Sequence, residues 1–138
     1  RTWDQLGLER VATASFADFD PATGVLRIAS AGHTAPILVV SETASVVDVD
    51  PTPPLGAPAS PATNWMGELA VGDTMVFYTD GLVEDRYRDV EDGIHRLVRT
   101  AMSAPVTDAA ELADRLLTCI PDDDRSDDVA LLVVRRTG

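Results

Sequence analysis

A chain of 138 residues is long enough for one compact domain and too short for two. Its formal net charge of -12, with every basic residue an arginine, counts against nucleic acid and anionic membrane as partners, since both are held mainly through Lys and Arg. No apolar run reaches the length that spans a bilayer, so no membrane insertion is expected.

The start, Arg1-Thr2-Trp3-Asp4, has neither an initiator Met nor a basic-then-apolar signal pattern, and reads as a piece of a longer chain. The single Cys119 has no partner for an internal disulfide, which fits a reducing, cytoplasmic setting. An Arg-only, Ala-rich composition points to a GC-rich bacterial genome.

Val11–Asp20 reads as a strand, Pro21-Ala22-Thr23-Gly24 as a turn, and Val25–Ala31 as the returning strand, with Leu26 and Ile28 on one face and Arg27 on the other. Gly32-His33-Thr34 breaks the chain before a strand over Pro36–Val40 and a short companion over Ser45–Val49. Asp50–Asn64 carries Pro51, Pro53, Pro54, Pro58 and Pro61, which forbids helix or central strand and predicts a long surface loop, functional or passive. Trp65–Ala70 and Thr74–Thr79 flank Val71-Gly72-Asp73 and read as a second hairpin. Helical spacing predicts Glu91–Ser103 and Thr107–Ile120 as helices, the second capped by Asp108 with Glu111 three residues on. Asp128–Arg136 is a final, almost wholly apolar strand. Hairpin-linked strands, grouped helices and a closing strand give an α+β class with mainly antiparallel sheets.

Met75-Val76-Phe77-Tyr78 and Val129–Val134 are apolar on both faces, so both strands are expected in the middle of the fold. Asp80 follows the first; Asp127 and Asp128 precede the second. Antiparallel pairing of these strands brings the carboxylates to one sheet edge. Carboxylates held together repel unless a cation separates them, and oxygen ligands suit Mg²⁺ or Mn²⁺. Gly81 removes a side chain where backbone must approach an ion or a turn. Adjacent residues in extended chain face opposite ways, so only one of Asp127 and Asp128 is expected to face the metal. The run Pro121–Asp128 also reads as a solvated acidic loop. Its spacing does not match an EF-hand calcium loop.

Ser30-Ala31-Gly32-His33-Thr34-Ala35-Pro36, Pro54-Leu55-Gly56, Gly72-Asp73, Tyr78-Thr79-Asp80-Gly81-Leu82-Val83-Glu84 and Asp127-Asp128-Val129-Ala130 occur in the order seen in one family. From about Val11 to Arg136 the chain resembles the SpoIIE/RsbU-type bacterial serine phosphatases, metal-dependent relatives of the eukaryotic type 2C enzymes. The resemblance implies two packed antiparallel sheets flanked by helices, with two Mn²⁺ or Mg²⁺ ions at the end of the sandwich. On matching positions Asp80 and Asp127 become metal ligands, with Gly81 and Asp128 in support. The implied activity is dephosphorylation of a regulatory phosphoprotein, such as an anti-anti-sigma factor, by a water held on the metals. Sensor or kinase domains in the parent chain are implied as well.

Family domains begin with a segment holding a Gly-Gly-Asp-type motif whose Asp bridges the metals, and nothing of that kind precedes Val11. The chain, residues 1–138, is therefore expected to be the C-terminal part of a phosphatase domain. A non-catalytic module that keeps the fold for partner binding, and a calcium-buffering acidic domain, are the competing readings. His33 reads either as a general acid toward the leaving oxygen or as a loop-shaping residue. Cys119 reads as core, His95 as surface, and Trp3 and Trp65 as packing residues. Glu84 and Asp85 read as water-mediated ligands or as exposed carboxylates. Arg86 and Arg88 read either as cations that attract phosphate or, the favoured reading, as partners of surface carboxylates.

Overall fold

A computed structural model of the chain describes residues 11–58, 64–87, 89–121 and 127–138. In order, these residues form β1 (Ala14–Phe19), β2 (Val25–Ala31), β3 (Ile37–Val40), β4 (Thr43–Val46), β5 (Trp65–Glu68), β6 (Thr74–Tyr78), α1 (Val90–Ala101), α2 (Ala109–Leu117) and β7 (Leu131–Arg135). One sheet has the order β1-β2-β5 and the other β4-β3-β6-β7, with every pair antiparallel. The expected α+β class with antiparallel sheets and helices is what the chain adopts. The described residues divide into two compact units: those up to Ala35 with Asp48–Glu68, and Pro36–Val47 with Leu69–Gly138.

In the first unit, β1 and β2 form the expected hairpin, in register from Ala14↔Ala31 to Phe19↔Leu26. The turn closes through Asp20 N–H to Val25 O at 2.9 Å and Gly24 N–H to Asp20 O at 2.7 Å. Leu26 and Ile28 are buried and Arg27 is exposed, beside Asp18 at 3.5 Å, as the alternation predicts. Trp65 pairs with Ile28, and its ring covers Gly67. The Pro-rich loop is tied down at its start. Ala12 and Leu55 exchange backbone hydrogen bonds of 3.0 and 2.8 Å, Gly32 N–H donates to Thr52 O at 2.8 Å, and the Thr52 hydroxyl donates to Ser30 O. Residues 59–63 of that loop, and Trp3, lie outside the described residues.

In the second unit, α1 and α2 contribute Leu97, Ala101, Leu112 and Leu116 to a core shared with Ile37, Val39, Val76, Tyr78, Leu82 and Val83. Cys119 joins this core at 3% exposure, and its thiol donates to Thr100 Oγ1 at 3.3 Å. His95 is exposed on α1, as expected. Asp89 caps α1 by accepting Glu91 N–H at 2.7 Å, a cap the sequence reading passed over. Asp108 caps α2, accepting Glu111 N–H at 2.8 Å. The reciprocal half of the capping box is not made. The Glu111 carboxylate turns instead to the Thr107 hydroxyl and to Arg115 at 3.0 Å, and those two partners lower its pKa. Asp108→Ala should therefore cost about 1 kcal/mol, the usual worth of one cap, measured as a lower urea midpoint with an unchanged m-value.

Three expectations need correction. β5 and β6 are not a hairpin: β5 pairs with β2, and β6 lies between β3 and β7. The tight turn exists, with Asp73 N–H to Ala70 O at 3.0 Å, but its remaining backbone groups are spent on the end of β7. Gly72 N–H donates to Arg136 O at 2.7 Å, and Arg136 N–H donates to Asp73 O at 3.0 Å. β7 is not central. It ends the strand order among the described residues, with α2 against it, and Leu132 on it is 58% exposed. β4 begins and ends earlier than expected, at Thr43–Val46, because the tight reversal after Val40 puts Val40 opposite Thr43.

Candidate metal centre

The expected pairing of β6 with β7 is present, from Thr74↔Arg135 to Tyr78↔Leu131. One residue further on, Thr79 clasps the incoming strand. Its N–H donates to Ala130 O at 3.1 Å, its hydroxyl donates to Asp128 O at 3.2 Å, and that hydroxyl accepts Ala130 N–H at 2.8 Å. The chain then turns sharply over Asp80–Leu82, a short 3-10 turn. Asp80 O accepts the N–H groups of Val83 at 2.9 Å and Glu84 at 2.8 Å.

Gly81 is buried against the other strand. A Cβ at Gly81 would stand 2.6 Å from the carbonyl oxygens of both Asp127 and Asp128. The backbones carrying Asp80, Asp127 and Asp128 therefore meet at one end of the β6–β7 ladder, and all three residues are exposed. Asp127 Oδ1 accepts the N–H of Asp128 at 2.9 Å, which orients that carboxylate. The donors at this edge are carboxylate and carbonyl oxygens, the set that suits a hard divalent cation. Among the described residues no group of three or more His, Cys, Asp or Glu side chains is arranged to hold a metal. Asp122, Asp123 and Asp124 lie outside those residues.

Tyr78 gives an independent view of this edge. It is 3% exposed. Burial, and then the charge of Asp80, push its phenol pKa up from 10.0 to about 12. The protonated phenol is the neutral form. Between pH 10 and 12 the unfolded chain has lost this proton and the folded chain has kept it, so this contribution to stability is complete below pH 10 and is lost as pH rises towards 12. Ultraviolet titration of tyrosinate, read against Tyr78→Phe, should place the midpoint near 12, and Asp80→Asn should lower it. An unmoved midpoint in Asp80→Asn would mean that the carboxylate does not face Tyr78.

His33 belongs to the first unit. It shares a hydrogen bond with Thr13 Oγ1 through Nδ1 at 3.2 Å, and its carbonyl accepts the Ser30 hydroxyl at 3.3 Å. It lines a cavity of about 260 Å³ with Ser30, Asp50 and Thr52 among its neighbours. In the second unit Glu84 is exposed, and Asp85 is half-buried with its Oδ1 accepting Tyr87 N–H at 2.7 Å. Arg86 departs from expectation. It forms no ion pair among the described residues, and its guanidinium lies 5.8 Å from the centre of the Tyr87 ring. Arg88 lies outside the described residues.

The family model described as Stage II sporulation protein E matches residues 1–137. The chain belongs to the SpoIIE family. Its fold is similar to the RsbU and RsbW domains of a Mycobacterium tuberculosis protein, with a TM-score of 0.82 at 29% identity, covering 97% of this chain and 38% of that one. It is similar to the phosphatase domain of SpoIIE from Bacillus subtilis, from a manganese-presoaked crystal, with a TM-score of 0.76 at 18% identity, covering 99% and 60%. RsbX in complex with magnesium matches with a TM-score of 0.63 at 17% identity, covering 90% and 55%. This SpoIIE-family chain thus spans less than two thirds of the length of each of these structures.

Within this SpoIIE-family fold, Thr79 is the residue that sequence reasoning passed over. Its signal was position: a hydroxyl at the end of a buried strand, directly before the acidic turn, can bond both ways across to the neighbouring strand.

Proposed function

We propose that the chain supplies part of the site of a Mn²⁺- or Mg²⁺-dependent phosphoprotein phosphatase. The substrate is phosphoserine or phosphothreonine in a regulatory protein such as an anti-anti-sigma factor. The observation that carries this reading is the seat of Gly81 on the Asp127 and Asp128 carbonyls, which sets Asp80 and Asp127 on one edge of a SpoIIE-family chain.

In this reading Asp80 and Asp127 hold metal, with two ions in the complete domain. Gly81 allows the backbones to approach, and the Asp128 N–H orients the Asp127 carboxylate. When bound, the ions neutralise charge on the phosphoryl oxygens and make water a competent attacking group. The magnesium in the RsbX complex and the manganese presoak of the Bacillus subtilis domain support the choice of metal. No side chain is assigned as nucleophile; Cys119 is a core thiol, and His33, held by Thr13 and Ser30, shapes its loop. The reading extends to a cytoplasmic setting and to sensor or kinase domains in the parent chain.

One observation favours a second reading, a non-catalytic module for partner binding: the absence of a three-ligand group among the described residues. Mn²⁺-dependent hydrolysis of a phosphoserine peptide by the chain and by Asp127→Asn separates the two. The phosphatase reading expects metal-dependent turnover that falls at least about 100-fold in the variant, the scale for loss of one charge-stabilising group. Absence of turnover in both proteins fits an incomplete site and the second reading alike, and the same assay on a chain extended to the full length of the domain separates those two. Full turnover in Asp127→Asn overturns the site assignment.

A further inference from the structure

We infer that Arg86, braced by Tyr87, is the substrate-anion contact of this site, receiving an oxyanion of the phosphopeptide, either the phosphate or a carboxylate flanking it. The inference rests on the phosphatase reading above. A chain of net charge -12 repels an anionic substrate unless a cation stands where the substrate lands. The side chains of the other described arginines, Arg99 apart, have partners elsewhere. Arg27 and Arg115 pair with carboxylates, while Arg96, Arg135 and Arg136 donate to backbone carbonyls. Arg99 sits in the last turn of α1, where a cation complements the helix dipole. Among the described residues the contact of the Arg86 guanidinium is with the ring of Tyr87 alone, at 5.8 Å from its centre.

Its position relative to Asp80 follows from backbone bonds. Glu84 N–H to Asp80 O makes 80–84 a helical turn that rises about 6 Å. Two further residues add at most about 7 Å, so the Arg86 Cα lies within about 13 Å of the Asp80 Cα, a distance that some four residues of extended peptide cover. The Asp85 carboxylate, by accepting Tyr87 N–H at 2.7 Å, fixes the bend that presents Arg86 and Tyr87. Tyr87 is 83% exposed, and Arg86 is exposed as well. A guanidinium steadied on an aromatic ring keeps its donor fork free for bidentate bonding to phosphate or carboxylate.

The test is equilibrium binding of fluorescently labelled phosphoserine peptides, one with acidic and one with neutral flanks, to the chain in Mn²⁺. Arg86→Ala should weaken binding about tenfold, and Arg86→Lys should recover only part of the loss, because a point charge replaces the fork. Loss for both peptides identifies the phosphate as the ligand; loss confined to the acidic-flanked peptide identifies the carboxylate. Tyr87→Phe should bind as the parent does and Tyr87→Ala should be weaker. Unchanged binding in Arg86→Ala, or no binding of either peptide by the parent chain, overturns the proposal. Binding needs no turnover, so these losses test the anion contact separately from the phosphatase reading, which the turnover assay on Asp127→Asn tests. Both side chains are exposed, so matched melting curves are expected for all four variants.

Discussion

Gly81→Ala should destabilise the chain and, on the phosphatase reading proposed above, abolish metal-dependent activity. The added methyl has two backbone oxygens at 2.6 Å, those of Asp127 and Asp128, and no flexible side chain that could give way. Relief requires the Asp80–Leu82 turn to lift from the start of the incoming strand. That movement breaks the Thr79 clasp, whose bonds of 2.8–3.2 Å need the same close approach. Overpacking of this kind costs about 1–3 kcal/mol, and the upper half of that range is expected because both neighbours are main chain. The functional effect should exceed the stability effect, since a displacement of about 1 Å between ligands already costs about 100-fold in rate. Urea unfolding measures the first quantity and Mn²⁺-dependent phosphopeptide turnover the second, while calorimetric titration with Mn²⁺ reports the metal affinity. A Gly81→Ala chain that binds Mn²⁺ as the parent does would show that the approach of these backbones has no part in the metal centre.

Local chemistry made much of this architecture legible in the sequence. The β1–β2 hairpin followed from a Pro-Gly turn between alternating segments, and β2 has the expected bounds because Leu26 and Ile28 are buried on one face while Arg27 is exposed on the other. The β6–β7 pairing, which brings the aspartates to one edge, followed from two strands without a polar face. Where the reading failed, the deciding partner was distant. Val71-Gly72-Asp73 announces a turn, but whether the flanking strands pair depends on where the turn's N–H and C=O groups go, and Arg136 takes two of them. β7 looks central because it is apolar throughout, yet composition does not tell covered from uncovered, and Leu132 is 58% exposed.

The candidate site was legible in a similar way. Asp80, Gly81 and Asp127 are marked by type and place, whereas Thr79 and Arg86 are ordinary residues until their contacts are known. Thr79 matters through bonds to Asp128 and Ala130. For Arg86 the sequence offered phosphate and carboxylate as partners, and the favoured ion pair is not made among the described residues. In a chain with 23 acidic residues the natural expectation was an ion pair.

Gly93→Ala carries the sharpest conflict between local and tertiary terms. Gly93 lies inside α1, and replacing an interior helical glycine by alanine ordinarily stabilises by about 1 kcal/mol. The helix here runs directly over the main chain that follows the acidic turn. A Cβ at Gly93 would sit 1.8 Å from Val83 O and 2.6 Å from Val83 C. Val83 cannot yield freely, because its N–H is bonded to Asp80 O at 2.9 Å and its side chain is fully buried. Either α1 shifts outward, uncovering Leu97, or Val83 moves and takes the Asp80 turn with it. The overlap should cost about 3 kcal/mol or more, so the clash outweighs the propensity gain and the net change is a loss of about 2 kcal/mol. His95→Ala, on an exposed position of the same helix, should change stability by no more than about 0.5 kcal/mol and serves as the control. Urea unfolding of the two variants decides the sign: a stabilised Gly93→Ala chain would mean that α1 is not seated on Val83, and that Asp80 is held by the β6–β7 edge alone.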